Sequence, residues 1–157
     1  MANRLVGIIG TSKASPSIAA LAFETGRLLA EAGCAIVCGG MGGVMEEAAR
    51  GAASAGGTSI GLLPNDRSEA NPYITYPLPT GLGEARNFVI THSVDVLIAN
   101  GGGLGTLSEI AMALRLGKRV VALQTWSARD EAGTPMPVLA ASRPEEAVRL
   151  ALEGLPG

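Results

Sequence analysis

Five short runs of mostly apolar residues, each too brief for a helix of ordinary length, constrain this chain more than any other feature. They are Leu5–Gly10 (LVGIIG), Ala35–Cys38 (AIVC), Thr58–Leu63 (TSIGLL), Val94–Ala99 (VDVLIA) and Arg119–Leu123 (RVVAL). A run such as Leu5–Gly10, apolar without alternation, suits a strand covered on both faces. Helical patterns lie between the runs. Ser15-Pro16 supplies an N-cap and a proline at the first helical position, with Ile18, Leu21, Ala22, Leu28, Leu29 and Ala32 following at helical spacing and Gly33 as a stop. Further helices are predicted over Val44–Ala55, Glu84–Ser93, Thr106–Leu116 and Pro144–Leu152, and a sixth short strand over Val138–Ala140. Strands alternating with helices need right-handed crossovers and a mainly parallel sheet. The expected fold is α/β, Rossmann-like and doubly wound, a three-layer arrangement with helices on both sides of the sheet, formed by residues 1–157 as a single domain.

Two segments break this rhythm. Pro64–Thr80 holds four prolines and both tyrosines and is predicted to be one long irregular stretch, placed to cover a ligand. Trp126–Pro137 is predicted to be loop. In Glu84–Ser93, the helical pattern puts Ala85, Phe88, Val89 and His92 on one face.

Composition narrows the function. At 47% hydrophobic and 17% charged, the chain is too apolar for disorder, and a net charge of −2 gives no field that draws nucleic acid or an anionic membrane. The uncharged stretch Ala32–Met45 is shorter than the roughly 18 residues a membrane helix needs. The start, MANRLVGIIGTSK, lacks a long apolar segment of the secretory kind, so a cytoplasmic location is expected. One histidine (His92) and two cysteines (Cys34, Cys38) match no zinc spacing; no metal site is expected, and the thiols read as buried and reduced.

Ligands of such sheets bind at the carboxyl ends of the strands, and three of those turns are rich in small residues. Glycine lets backbone N–H groups approach a ligand, and the helix N-terminus that follows adds positive potential; together they cradle phosphate. The candidate binding residues are Gly10, Thr11, Ser12 and Lys13 after the first strand, and Gly39, Gly40, Gly42 and Gly43 after the second. Gly101, Gly102, Gly103, Gly105 and Thr106 follow the fourth. Arg86 and Asn87 join them, because an arginine in a helix's first turn opposes the helix dipole and suits an anionic ligand. The usual nucleotide signatures are incomplete. Gly101 and Gly103 begin a G-x-G-x-x-G that Thr106 breaks, no acidic residue ends the second strand, and neither Lys13 nor Lys118 completes a P-loop.

The stretch Gly102-Gly103-Leu104-Gly105-Thr106-Leu107-Ser108-Glu109 resembles the GGxGTxxE signature of the LOG-type superfamily, often labelled lysine decarboxylases. Gly39–Glu46 (GGMGGVME) and Ser59–Pro64 look like its upstream glycine turn and third strand. Ala85-Arg86-Asn87 and the GGGxGTxSE ending at Gly101–Glu109 are similar to a short branch that includes molybdenum-cofactor carriers. The resemblance implies a homo-oligomer, dimer or tetramer. It implies either a carrier for a nucleotide or a molybdenum cofactor, or a phosphoribohydrolase releasing free base from nucleoside 5′-monophosphates, with Arg86 and Glu109 as the catalytic pair and no cofactor in the chemistry. The similar hydrolases have Pro where Gly101 stands and Lys where Asn87 stands, which favours the carrier. A scaffold that has lost its ligand is the third alternative. Glu109 has two readings: a carboxylate for oxocarbenium chemistry, or the back-bonding member of a capping box with Thr106 as N-cap. Pyridoxal-type decarboxylation finds no suitable lysine; Lys13 suits phosphate contact instead.

Overall fold

The apolar runs become neighbouring strands because each can bury both its faces. The computed structural model describes residues 4–156. Its strands are β1 (Leu5–Gly10), β2 (Ala35–Cys38), β3 (Ser59–Leu63), β4 (Tyr76–Pro79), β5 (Val96–Asn100), β6 (Arg119–Leu123) and β7 (Leu139–Ala141). All seven pair in parallel in the order β4-β3-β2-β1-β5-β6-β7. The helices are α1 (Pro16–Glu31), α2 (Val44–Ser54), α3 (Arg86–Ser93), α4 (Leu104–Arg115) and α5 (Pro144–Leu152). The chain winds from β1 out to β4, then returns through α3 to place β5 on the other side of β1. This is the doubly wound, Rossmann-like α/β fold expected, and its topological switch lies between β1 and β5.

Successive side chains of a strand point to opposite faces, and each face has its own core. Val6, Ile8, Ile36, Val96 and Ile98 pack with α1, α2 and α5 residues such as Leu29, Ala48 and Ala147. Ile9, Val37, Leu97 and Ala99 pack with Ile90 of α3 and with Ile110 and Ala113 of α4. Ser15 caps α1, its Oγ accepting the Ile18 N–H at 3.3 Å, with Pro16 in the first turn as predicted.

The helix α1 meets α2 at backbone distance. A Cβ on Gly51 would stand 1.9 Å from the Phe23 carbonyl oxygen, and one on Gly26 would stand 2.1 Å from that of Ala48. Part of the glycine content therefore serves helix packing, a use that the strand-end turns did not suggest.

Several expectations need correcting. Pro64–Thr80 is not irregular throughout: Arg67–Glu69 forms a 3-10 turn, and Tyr76–Pro79 is a strand paired with β3, Gly61 opposite Pro77 and Leu63 opposite Pro79. Two prolines are tolerated because β4 lies at the sheet edge, where missing N–H donors leave no neighbour unpaired. The buried face of α3 is Arg86, Ile90 and Thr91, not the predicted set, and Phe88 is 51% exposed. The helix α4 starts at Leu104 with Gly103 at its N-cap, so Thr106 is not the cap and the capping box with Glu109 does not form. Cys34 and Cys38 are free and buried; burial pushes both thiols up, Cys38 to about 11, which keeps them protonated and inert. Among the described residues no helix is long and apolar enough to cross a membrane.

Helix propensity favours alanine over glycine by about 1 kcal/mol, yet the 1.9 Å approach at Gly51 makes steric cost win. Gly51→Ala is expected to destabilise the fold by about 1–3 kcal/mol in urea denaturation. Gly42→Ala, whose methyl would meet nothing nearer than 3.8 Å, should leave the midpoint nearly unmoved.

Candidate functional site

The site is built where β1 and β5 part. Gly10 ends β1 against the last residue of β5: a Cβ there would lie 2.1 Å from the Asn100 carbonyl oxygen. The chain then turns through Thr11, whose carbonyl accepts the Val44 N–H at 3.0 Å and so docks the first strand-end loop on the start of α2. Gly43, the N-cap of α2 at φ +65°, must be glycine, since its Cβ would fall 2.3 Å from the same Thr11 oxygen. The loop after β2 is held from a third direction: the Asn71 side-chain N–H groups donate to the Gly40 carbonyl at 3.2 Å and the Met41 carbonyl at 2.8 Å.

These loops and the first turns of α3 and α4 surround a cavity of about 210 Å³. Of the residues nominated from sequence, Gly10, Thr11, Ser12, Gly39, Arg86, Asn87, Gly103, Gly105, Thr106 and Glu109 line it. Lys13, Gly40, Gly42, Gly43, Gly101 and Gly102 do not. Lys13 is exposed beside the opening loop, its own N–H donating to Thr11 Oγ1 at 3.2 Å. Gly40, at φ +78°, packs on Leu63 and Gly61, and Gly101, at φ +62°, packs on Ile18 and Thr11. Met41 and Met45, which motif reasoning missed, add an apolar wall. Neither Tyr73 nor Tyr76 lines the cavity; the Pro64–Thr80 segment braces the loop after β2 through Asn71.

Arg86 dominates the electrostatics. Its side chain is buried, and Gly39 makes room for it: a Cβ at residue 39 would stand 2.2 Å from Nη1. Its Nε has no hydrogen-bond partner among the described residues, and it joins none of the ion pairs there. Burial holds the guanidinium below its ordinary pKa, and the Glu109 carboxylate acts in the opposite sense. Glu109 is pushed up to about 7 by burial, with Arg86 pulling it down. The N-terminus of α4, whose Gly103, Gly105 and Thr106 line the cavity, has no side-chain cap, so its first N–H groups are left without that partner. A buried cation without a partner, beside an uncapped helix start and a carboxyl pushed up toward neutrality, has the chemistry that suits an anion. Among the described residues no three His, Cys, Asp or Glu side chains converge as metal ligands.

Lys118 serves the fold. Lys118 Nζ donates to the His92 and Val94 carbonyls, both at 2.7 Å, closing the C-terminal end of α3, and burial lowers its pKa.

A family model described as the SLOG cluster4 family matches residues 3–148. The chain belongs to that family. A protein of Archaeoglobus fulgidus is 44% identical over 119 residues, 76% of this chain and 79% of the relative. Among solved structures, the molybdenum cofactor binding protein of the phototrophic bacterium Rippkaea orientalis superposes with a TM-score of 0.85 at 35% identity, covering 96% of each chain. The Moco carrier protein of Chlamydomonas reinhardtii superposes with a TM-score of 0.84 at 34% identity, covering 98% of this chain and all of that one. The SLOG cluster4 fold is thus shared with molybdenum-cofactor proteins along nearly the whole length.

Two stability measurements test this electrostatic picture of the SLOG cluster4 site. Glu109 holds its proton more tightly folded (about 7) than at its ordinary 4.5, so between those values the folded state binds more protons and stability falls as pH rises. The fall is expected to be on the order of 3 kcal/mol and to flatten in Glu109→Gln. Arg86→Met, which replaces an unpaired buried cation with an apolar chain, should raise the ligand-free unfolding free energy by about 1 kcal/mol or more in urea denaturation.

Proposed function

We propose that this chain is a single-domain carrier that binds a phosphorylated heterocycle of the molybdopterin type, with the phosphate in the Arg86 cavity. The observation that carries the reading is Arg86 itself: buried, without an ion-pair partner, and with Nε unsatisfied. A phosphate would supply the missing acceptors, Arg86 its fork of donors, and the turns at Gly10–Ser12 and Gly103–Thr106 backbone N–H groups. Gly102–Glu109 then acts as the family-like glycine signature does, as a phosphate turn leading into a helix. The names of the Rippkaea and Chlamydomonas neighbours support molybdenum cofactor as cargo. On this reading the carrier is a cytoplasmic homo-oligomer, and its net charge of −2 suits neither nucleic acid nor a membrane surface as partner.

Calorimetry with AMP and with a pterin phosphate monoester tests the reading. Arg86→Met should weaken both by roughly ten- to a hundredfold, the value of a charge-assisted hydrogen-bond pair. Unchanged affinity in that variant would remove the basis of the proposal. Phosphomonoesters are already mostly dianionic above about pH 6. Affinity should therefore fall as pH rises through about 7, where Glu109 ionises beside the ligand, and Glu109→Gln should abolish the fall.

A second reading has one observation in its favour. Glu109, with its carboxyl near 7, lines the same cavity as Arg86, as an N-glycosidase that activates water by general base catalysis would require. Under the carrier reading, incubation with AMP releases no adenine. Adenine release that disappears in Glu109→Gln would establish the hydrolase instead.

A further inference from the structure

The Gly101–Gly103 turn has a second side. Gly103 lines the Arg86 cavity, whereas Gly101 and Gly102 line another hollow, of about 360 Å³, with Gln124, Thr125, Trp126 and Ser127. The last four residues also open onto a hollow of about 260 Å³ that reaches the ends of β6 and β7.

The wall between the two sides is thin and fixed. Trp126 Nε1 donates to the Gly103 carbonyl at 2.9 Å, Thr125 Oγ1 donates to the Gly101 carbonyl, and the Gly101 N–H donates to the Gln124 carbonyl at 2.8 Å. Gly102 is glycine because a Cβ would lie 2.9 Å from the indole Cδ1 and Nε1. Two side chains here are free. Gln124 and Ser127 are exposed, and neither side chain hydrogen-bonds to another described residue. Gln124 also holds φ at +52°, the one non-glycine residue at positive φ among the described residues. A residue of that shape is costly there, where glycine or asparagine would sit more easily.

We propose that this second hollow takes the planar nitrogen heterocycle of the ligand, with Trp126 as its apolar wall and the Gln124 amide reading a donor–acceptor edge of the ring. The inference rests on the phosphate reading of the Arg86 cavity. Gly102 and Gly103 are consecutive and exposed, so the two hollows adjoin at the rim of the turn, and the ligand passes over that rim rather than through the wall. A ribose or the short side chain of a pterin spans that gap. An amide pairs equally well with a purine edge or a pterin edge, because it offers one donor and one acceptor side by side. The chemistry recognised is therefore a flat heterocycle on a phosphomonoester, and the probes below separate its two sources.

Trp126 is the single tryptophan of the chain, so tryptophan emission reports on the surroundings of this one indole. The intact protein is titrated with ribose 5-phosphate, AMP and a pterin phosphate monoester, with affinities from calorimetry. All three are expected to bind, but only ring-bearing probes should change Trp126 emission; whichever of the two binds tighter identifies the ring. Gln124→Gly removes the amide while relieving the positive φ, so the variant should fold at least as stably as the parent. It is expected to weaken the ring-bearing probe by about tenfold and leave ribose 5-phosphate unchanged, whereas Arg86→Met weakens all three. Ring-bearing ligands that bind without altering Trp126 emission, and with full affinity in Gln124→Gly, would overturn the heterocycle site while leaving the phosphate site standing. Failure of every probe to bind the parent would overturn both.

Discussion

At the carboxyl edge of the sheet, β1 and β5 lie so close that Gly10 has no room for a side chain against the Asn100 carbonyl. The rest of the molecule depends on that contact. From those two strand ends the chain departs to opposite faces, toward α1 on one side and α4 on the other. In the gap left between the departing turns, strand-end loops and the starts of α3 and α4 converge around one cavity. Widening the contact would separate the loop at Thr11–Ser12 from the turn at Gly103–Thr106, and the cavity would lose its closure before it lost any named polar group.

Packing and function compete for the same glycines. Gly39 is vacant space reserved for the Arg86 guanidinium, and Gly102 is vacant space reserved for the Trp126 indole. Gly26 and Gly51 serve only the approach of α1 to α2. Glycine-rich loops therefore cannot be read as ligand loops residue by residue. Of the nominated glycines, four line the cavity, and those that do not, Gly42 apart, are held by backbone conformation or by a neighbour that would collide with a Cβ.

The legible part of the fold was the part whose burial leaves a simple pattern. Strands β1, β2, β3, β5 and β6 are apolar because helices cover both faces, and Ser15-Pro16 announces α1 through its own chemistry. The strand β4 was hidden because Tyr76 and Leu78 are exposed at an edge and two prolines imitate a loop. The start of α4 was misplaced because Gly103 caps it through backbone conformation alone, leaving Thr106 as an attractive but false cap. Arg86 was legible because a cation in a helix's first turn is electrostatically out of place. Trp126 and Gln124 were not, since their meeting with the Gly101–Gly103 turn depends on tertiary contacts that no local spacing encodes.

Lys118 gives α3 a further property. Arg86 stands at one end of this eight-residue helix, and the ammonium of Lys118 ties the carbonyls at the other end to the start of β6. The arginine is thus positioned by a clamp two helical turns away rather than by bonds of its own. Its guanidinium waits in place with donors unspent, so an incoming anion meets a charge already oriented and little motional freedom is lost on capture. On the proposed reading, losing the Arg86 contact would weaken the hold on a bound anion without rearranging the sheet that positions it.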